Sequence, residues 1–509
     1  MQLSRRTLLQ LSAAGAALSV ASVALPAFAA IDELVIAYNV PLPSWDPTTG
    51  PSAVNPTIQA IYLSVFDRFI GQKPDLKPEP GILTEWGWNE DKTKIHMTVR
   101  DVVKWHDGSA LTAEDVVWSL QRAADEKTGN PITFIWSTIG NLKAEGNKIT
   151  GDVVRFDPTV FMWMYFLTGF VMPKAYYEKV GAEGFEKAPI GSGPYMVDKF
   201  EPNAFVRLKA FPDYWGGKAE FETVTIKFVT DPAARVAEVE GGNAHVTLEI
   251  PYEEYDRLKG GDKLVGTAEP ISDIGMIFIN DIDPMLDANV RKAAVMAVDK
   301  QLIIDRLLSG YGVPIDTLET PDYTAYDASI KTPYDPAAAA ELLKASGYGP
   351  DKPVKFTIQT TKGFKPKDYE MVQAIVGLWR KIGIEAEIEV YEIAKHYELR
   401  AADKLAPMAF YNWGNSIGDP TTSTGFAMYG PSPHSVWDGK DLIAMIDPLW
   451  GEKDEDKRIA GWKAVDKFIA DNALVLPLLQ YVQPIIAAPG VIVTPHKSGA
   501  LLPYLMKRG

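Results

Sequence analysis

The stretch that decides the fold runs from Trp105 to Leu120 and reads WHDGSALTAEDVVWSL. Its second half carries the signals of a helix start, because Thr112 is a favourable N-cap and acidic residues follow it in the first turn. Asp115 stands at the third helical position, which predicts a reciprocal capping box with Thr112. The valine pair after Asp115 and Leu120 supply an apolar face, so this helix is expected to cover a core.

Strand and helix patterns alternate on both sides of this stretch, without an internal repeat or a long flexible linker. This texture is typical of an α/β protein whose lobes are joined directly by strands. Strands are predicted over 33–38, 94–99, 355–359, 385–390 and 408–413, and helices over 59–69, 112–120, 290–308, 336–345 and 368–381.

Length and composition narrow the class of protein. The chain has 509 residues, enough for two to four domains, with 46% hydrophobic and 23% charged residues. The net charge of −15 argues against a nucleic-acid partner, which would require a clustered basic surface. There are no cysteines, so disulfides and thiolate metal sites are excluded.

The N-terminus has the pattern of an export signal. Arg5 and Arg6 precede an Ala/Leu/Val-rich run, and Ala27 and Ala29 form a small-residue cleavage site. The paired arginines before two leucines resemble a twin-arginine signal, which implies export after folding. We therefore expect residues 1–30 to be a signal peptide and the remaining chain to be periplasmic. A membrane anchor is the alternative, but the run is rich in alanine and ends at a proline.

Several blocks together resemble the extracytoplasmic solute-binding proteins of ABC importers, in the dipeptide, oligopeptide, opine and nickel-binding superfamily (family 5). The segment 105–120 is similar to the family's F-H-D-G-x-P-x-T-A-E-D-V-V-F-S signature. The other blocks lie at 189–195 (PIGSGPY), 280–299, 334–347, 379–384 (WRKIGI) and 471–479. Their order and spacing cover most of residues 33–485. The block residues are expected to mark the fold; Arg291, for example, is expected to form a salt bridge within it.

The resemblance implies a periplasmic-binding-protein type of α/β fold, in which three lobes close over a ligand cleft. Lobe I is expected to take residues 31–75, 188–280 and 476–509. Lobe II is expected to take 76–187, and lobe III 281–475. The implied function is that of a substrate-binding subunit, most consistent with a monomer without cofactor or metal, which delivers a peptide-like or opine-like solute to a membrane permease and its ATPase.

Two segments are expected to form the walls of the site. The first is the loop 39–46 after the first strand, with Trp45 and Asp46. The second is Tyr411–Asp419, which with Pro420 resembles the W-x-x-D-x-x-D-P pattern of peptide-binding relatives. In that pattern the first aspartate holds the ligand's ammonium group, and Trp413 and Asp419 match the positions around it.

Serine replaces that first aspartate, at Ser416. A hydroxyl cannot supply a charge-assisted hydrogen bond, which is roughly twice as strong as a neutral one. A plain dipeptide with a free N-terminus is therefore not the favoured ligand, unless Asp419 substitutes. Lys362 falls where dipeptide-binding relatives carry the base that pairs with the ligand's carboxylate. The resemblance thus favours an acidic or amine-masked ligand such as an opine-like conjugate, a modified peptide or an acidic sugar derivative; unmodified peptide remains open through other residues.

Three other functions would use these residue types: ester hydrolysis, sugar binding and metal binding. The motif Gly414-Asn415-Ser416-Ile417-Gly418 matches the G-x-S-x-G nucleophile elbow of serine hydrolases, but Pro420 disfavours the helix that must follow. An oligosaccharide-binding protein would stack Trp45, Tyr411 or Trp413 against sugar rings. A metal site is not indicated, since no two of the six histidines have H-x-x-x-H spacing.

Overall fold

The computed structural model describes residues 31–50, 53, 55–261, 263–432 and 434–509. The predicted signal peptide, residues 1–30, lies outside the described residues. Residues 32–509 form one compact unit. Its α-helices are Pro56–Val65, Ala113–Ala124, Thr133–Trp136, Val160–Trp163, Lys174–Lys187, Pro232–Glu240, Tyr252–Lys259, Ala288–Met296, Lys300–Leu307, Pro336–Ala345, Asp368–Arg380, Ile393–Ala401, Phe426–Met428, Lys440–Ile446 and Glu455–Asp471.

The strands are numbered in chain order. They are β1 (Glu33–Tyr38), β2 (Gly71–Gln72), β3 (Pro78–Glu79), β4 (Leu83–Trp88), β5 (Lys94–Val99), β6 (Ile139–Glu145), β7 (Lys148–Val153), β8 (Tyr195–Glu201), β9 (Phe205–Ala210), β10 (Thr223–Phe228), β11 (Val246–Leu248), β12 (Val265–Ile279), β13 (Gly312–Pro314), β14 (Val354–Thr360), β15 (Ile384–Val390), β16 (Met408–Gly414), β17 (Val475–Ala487), β18 (Val491–Ile492) and β19 (Lys507–Arg508).

The main sheet has 11 strands in the order β15-β14-β16-β12-β17-β11-β1-β10-β9-β8, with β13 also paired to β17. Two long central strands, β12 and β17, run through both halves of this sheet. In one half, the C-terminal part of β17 pairs with the N-terminal part of β12 and with β11, which leads to β1. In the other half, the C-terminal part of β12 pairs with the N-terminal part of β17 and with β16, which leads to β14. The two halves therefore share a continuous two-stranded ribbon.

The ribbon is interrupted at its middle. Pro270 of β12 pairs with Val482 of β17, but the next pair is Ile274 with Gln480, so β12 has extra residues at this point. A bulge of this kind bends a strand and redirects its side chains, and bulges are common beside functional sites. The interruption therefore marks the junction of the two halves of the sheet and places Asp273 beside it.

A second, four-stranded antiparallel sheet has the order β4-β5-β7-β6. The helix Ala113–Ala124 packs on it through Val116 and Leu120, over a core that includes Trp105 and Trp136. The predicted capping box is confirmed, since the Asp115 carboxylate accepts from the Thr112 N–H at 2.9 Å. This sheet lies within the span predicted for lobe II, although the lobe boundaries themselves stay a prediction.

Most predicted elements are confirmed to within a few residues, with one clear exception. The single helix expected over 290–308 was wrong, because Asp299 begins a second helix and its carboxylate accepts from the Leu302 N–H at 2.9 Å. The salt bridge expected for Arg291 was also wrong. Its guanidinium donates instead to backbone carbonyls, including that of Met285 at 2.6 Å.

The PIGSGPY block forms a close backbone approach. A Cβ atom added to Gly191 would lie 2.0 Å from the carbonyl oxygen of Val65, and one on Gly193 would lie 2.6 Å from the carbonyl carbon. The Gly193 N–H donates to the same Val65 carbonyl at 3.0 Å. Glycine is therefore required here by space, which explains the block without a ligand contact.

Candidate functional site

The carboxyl ends of strands from both halves of the main sheet meet at the interruption of β12. In one half, β1 and β11 are parallel, and Glu249, which follows β11, donates its N–H to Pro484 of β17. In the other half, β14 and β16 are parallel, and Gly414 at the end of β16 pairs with Asp273. Ligands of α/β proteins bind where the carboxyl ends of strands form a crevice, so this junction is the candidate site.

A row of polar side chains crosses this junction, and its members are Asn39, Glu249, Asp273, Lys365 and Asn412. The Asn39 amide donates to the Glu249 carboxylate, and the Lys365 ammonium forms an ion pair with Asp273. Asn412 donates a further hydrogen bond to Asp273, at 3.2 Å. The strand ends thus present two carboxylates and one ammonium within one connected row.

Lys365 and Asp273 neutralise each other, whereas Glu249 has no ion-pair partner among the described residues. The Lys365 and Asp273 side chains are 17% and 15% exposed, so this ion pair is largely removed from water. Burial opposes the charge of Lys365, but Asp273 and Glu249 overcome this effect and raise its pKa. Lys365 is therefore charged, and the Glu249 carboxylate acts on it electrostatically without forming an ion pair among the described residues.

Tyrosines close the base of the row. The Lys365 ammonium lies 5.5 Å from the centre of the Tyr481 ring. Burial raises the pKa of the Tyr481 hydroxyl far above its usual range, and that hydroxyl is enclosed without a hydrogen-bond partner among the described residues. Tyr252 packs nearby and donates to the Val482 carbonyl at 2.8 Å. The base is therefore apolar apart from its hydroxyl groups.

A second cation, Arg400, lies beside the row on the helix Ile393–Ala401. Its guanidinium carbon is 5.2, 5.0 and 5.6 Å from the ring centres of Tyr397, Tyr411 and Trp413. One terminal nitrogen lies 3.3 Å from Nδ1 of His434. Aromatic faces attract a cation, so these rings hold the guanidinium in place.

The structure places the predicted Trp45 and Asp46 in the interior. Trp45 is 1% exposed, and its ring makes an edge contact with Phe200 at 5.4 Å. The Asp46 carboxylate forms an ion pair with Arg122 at 2.5 Å. Both side chains thus have internal partners, and a ligand contact by either stays a prediction.

Tyr411 and Trp413 lie against the Arg400 side chain. Tyr411 is 2% exposed, stacks on His396 with ring centres 4.2 Å apart and donates to the His396 carbonyl at 2.6 Å. Trp413 is half-buried and donates its indole N–H to the Thr422 carbonyl at 2.6 Å. Trp413 therefore retains an open face, whereas Tyr411 is buried behind it.

Ser416 and Asp419 lie in the loop after β16, and both are buried. The Ser416 hydroxyl is 3.0 Å from the Ser272 hydroxyl. The segment after Ser416 continues into a π-helical turn, Thr421–Gly425. Asp419 accepts two hydrogen bonds from Arg458, at 3.1 and 2.6 Å, and these two side chains are 1% and 0% exposed. Asp419 therefore fixes the loop that carries Ser416.

Lys362 lies in the loop after β14 and is exposed, with its ammonium 5.2 Å from the Tyr369 ring centre. Sequence reasoning singled out Lys362 but missed Lys365, which the same loop directs to Asp273. It also missed Glu249, Asp273 and Arg400. Asp273 could have been found, because a carboxylate that interrupts the apolar run ISDIGMIFI requires a partner.

Two negative findings apply to the part of the chain that the structure describes. Within it, no cluster of three or more histidine, aspartate or glutamate side chains is arranged to bind a metal ion. No helix in the same part combines the length and apolar character that crossing a membrane requires.

A main sheet whose halves share two central strands, with charged side chains at the strand ends between them, is the architecture of periplasmic-type solute-binding proteins. The chain belongs to the bacterial extracellular solute-binding proteins, family 5, whose model matches residues 77–432. It is thus a substrate-binding protein of the peptide ABC-importer family, whose members are extracytoplasmic.

Individual relatives agree with this assignment. The chain is 27% identical to the dipeptide-binding protein of Escherichia coli over 433 residues, which is 78% of this chain and 80% of the relative. It is 25% identical to the periplasmic murein peptide-binding protein MppA of the same species, over 84% of each chain. Its fold matches the substrate-binding protein CtaP of Listeria monocytogenes with a TM-score of 0.82 and 20% identity, over 94% of this chain and 99% of that one.

Proposed function

We propose that the protein captures a peptide-like or opine-like small solute and delivers it to the permease of an ABC importer. The observation that carries this proposal is the polar row at the junction of the two sheet halves, in which the Glu249 carboxylate accepts from Asn39 and has no ion-pair partner among the described residues. A ligand that bridges the halves would stabilise whichever arrangement of the lobes it contacts best. Partner ATPase subunits would then drive transport.

The lobes of this proposal keep the predicted boundaries: 31–75, 188–280 and 476–509 for lobe I, 76–187 for lobe II, and 281–475 for lobe III. The four-stranded sheet supports lobe II, although its core also includes Phe69, Ile70 and Ile417 from outside 76–187. The monomeric state, the periplasmic location and twin-arginine export belong to the same proposal. Support for export comes from the Arg5-Arg6 pair and the Ala27 and Ala29 cleavage pattern.

Within the site, we propose that ligand contacts come from the exposed or half-buried groups. Lys362 and Trp413 meet this condition among the predicted residues. The side chains that would act by supporting the walls are those that are buried, namely Trp45, Asp46, Tyr411, Ser416 and Asp419. The burial of Trp45 and Tyr411 leaves Trp413 as the half-buried member of the three aromatic residues proposed to stack on a sugar ring.

Two relatives of known structure bind chemically different ligands. A dipeptide-binding protein of Pseudoalteromonas was solved with Met-Leu, and AgaA of Agrobacterium with agropinic acid; each covers 94% of this chain, at 19% and 18% identity, with TM-scores of 0.80 and 0.77. The uncharged Ser416 favours the acidic or amine-masked class. Glu249 is the group best placed to bind an ammonium if the ligand retains one.

A thermal-shift screen of peptides, opine-like acids and acidic sugar derivatives, followed by calorimetry, tests the proposal. We expect at least one acidic compound to bind the parent protein, and Lys362→Ala and Lys362→Glu to weaken that binding progressively. If both variants bind as tightly as the parent, Lys362 is not in the site. If no compound of any class binds the parent, the proposed function is wrong.

A further inference from the structure

Arg400 is half-buried, and among the described residues it differs from the other buried or half-buried arginines in what it donates to. Each of the others donates to at least one oxygen acceptor of the protein; they are Arg68, Arg100, Arg122, Arg207, Arg235, Arg291 and Arg458. Arg400 donates to a ring nitrogen, Nδ1 of His434, and to no oxygen among the described residues. Its Nε–H is enclosed and has no acceptor in the same part of the chain. The fork of the guanidinium is therefore unsatisfied.

Among the described residues, no carboxylate forms an ion pair with Arg400. Lys365, by contrast, is paired with Asp273. Burial lowers the pKa of Arg400, and only Tyr411 and Tyr397 act against that effect. Arg68, Arg235 and Arg291 also have no ion pair among the described residues, but each donates to backbone carbonyls. Arg400 has no oxygen acceptor in that part of the chain, so an anion from outside would compensate both its charge and its free N–H groups.

His434 cannot supply the missing negative charge. Burial and the positive charge of Arg400 lower the pKa of His434 to about 4, so its imidazole is neutral at physiological pH. It acts as a hydrogen-bond acceptor that fixes one side of the guanidinium. Tyr397, Tyr411 and Trp413 surround the rest of the group. The Arg400 side chain is therefore held in one orientation before any ligand arrives.

Arg400 is adjacent to the polar row. Tyr397 and Phe364 lie between them, because the Arg400 guanidinium carbon is 5.2 Å from the Tyr397 ring centre and the Lys365 ammonium is 5.9 Å from the Phe364 ring centre, with the two ring centres 6.4 Å apart. Tyr397 is 37% exposed and makes an edge contact with Phe364, which is 42% exposed. An open aromatic surface thus connects the guanidinium to the Asp273–Lys365 ion pair. A ligand with an acid group next to an apolar group would match the Arg400 guanidinium and the aromatic surface beside it.

We propose that Arg400 is the anion anchor of the site and binds a carboxylate of an amino-acid-derived ligand. The assignment rests on the proposed binding function and names the group that the ligand must carry. Arginine suits this role because its planar fork binds a carboxylate through two parallel hydrogen bonds, which a lysine cannot do. A carboxylate is favoured over a phosphate because Lys365, the other buried cation nearby, is already paired with Asp273.

The test compares matched acid and amide probes on the full mature chain. Calorimetry is run with Met-Leu, with its C-terminal amide, with agropinic acid and with inorganic phosphate, on the parent and on Arg400→Gln and Arg400→Lys. The matched control is Lys395→Gln, which removes an exposed charge from the same helix, where Lys395 pairs with Glu398. Melting temperatures check that each variant folds.

We expect the parent to bind at least one of the two acids. Where Met-Leu binds, its affinity should exceed that of its amide by roughly 10- to 100-fold, which is the range of a charge-assisted hydrogen bond. Arg400→Gln should weaken acid binding by a similar factor and abolish the preference for acid over amide. Arg400→Lys should fall between the parent and Arg400→Gln, and Lys395→Gln should match the parent. A purely structural role would instead weaken acid and amide equally.

The outcomes separate the two proposals. If the parent binds an acid and Arg400→Gln binds it as tightly, or keeps the acid preference, the Arg400 assignment is overturned while the binding function stands. Binding of phosphate in place of every carboxylate also overturns the assignment. If the parent binds none of these probes or the screened compounds, the binding function fails, and the assignment fails with it.

Discussion

Removing the Asp419 carboxylate should strongly destabilise the protein, because it leaves Arg458 buried without its main counterion. The Arg458 side chain is 0% exposed and donates to both Asp419 oxygens, at 3.1 and 2.6 Å. Breaking a buried ion pair by deleting one partner typically costs about 3–5 kcal/mol. We expect Asp419→Ala to lower the free energy of unfolding by that amount, as measured by urea unfolding followed by tryptophan fluorescence.

Two variants make this prediction sharp. Glu455 is the second carboxylate on Arg458, at 2.9 Å, but it is 58% exposed, so Glu455→Gln should cost under about 1 kcal/mol. Replacing both members of the buried pair, as Asp419→Ala with Arg458→Met, should be less harmful than Asp419→Ala alone, because no uncompensated charge remains. Equal losses for Asp419→Ala and Glu455→Gln, or a double variant worse than the single one, would refute this reasoning.

Three further predictions concern other parts of the fold. Burial raises the pKa of Glu319, and the negative charge of Asp466 raises it further. Burial also raises the pKa of Asp466. The folded state therefore holds protons that the unfolded chain loses above roughly pH 4, so this pair lowers the free energy of unfolding as pH rises toward neutrality. Glu319→Gln should flatten that part of a pH series of melting temperatures. An unchanged slope would contradict the coupling. Ser416→Ala should lower the free energy of unfolding by about 1 kcal/mol, because it removes the hydrogen bond to Ser272 of β12. It should leave any ester turnover unchanged in a chromogenic assay. Turnover that disappears with the hydroxyl would support the hydrolase hypothesis. Gly191→Ala should lower the free energy of unfolding in urea by about 1–3 kcal/mol or more, since its Cβ would lie 2.0 Å from a backbone oxygen. Gly377→Ala, in open space on a helix, should raise the free energy of unfolding by about 0.5–1 kcal/mol. Similar effects of the two changes would show that close approach is not the cause.

Much of the fold could be predicted from local patterns. The alternation of Ile95, Met97 and Val99 marked β5, and Thr112 with Asp115 marked a helix start, because these signals depend on neighbours in the chain. The break at Asp299 was missed since an aspartate can either cap a helix or sit on its polar face. The course of β12 and β17 through both sheet halves depends on long-range pairing that no local pattern encodes.

The site was harder to predict because its chemistry depends on which charges remain unpaired. The sequence presents Lys362, Lys365 and Lys367 as near equivalents, but only the fold shows that Lys365 pairs with Asp273 and Lys367 with Glu253. In the same way, Asp419 matched a family motif, yet its carboxylate is taken by Arg458. Charge compensation is a property of the tertiary structure, so it separates binding residues from structural ones only after folding.

Small-angle X-ray scattering of the mature chain, with and without the compound that most raises its melting temperature, tests the central claim most directly. The claim is that a ligand at the junction of the two sheet halves shifts the lobes toward a closed arrangement. We predict a smaller radius of gyration in the presence of the ligand, reversed by Arg400→Gln at the same ligand concentration. A ligand that raises the melting temperature of the parent without any compaction would contradict the account.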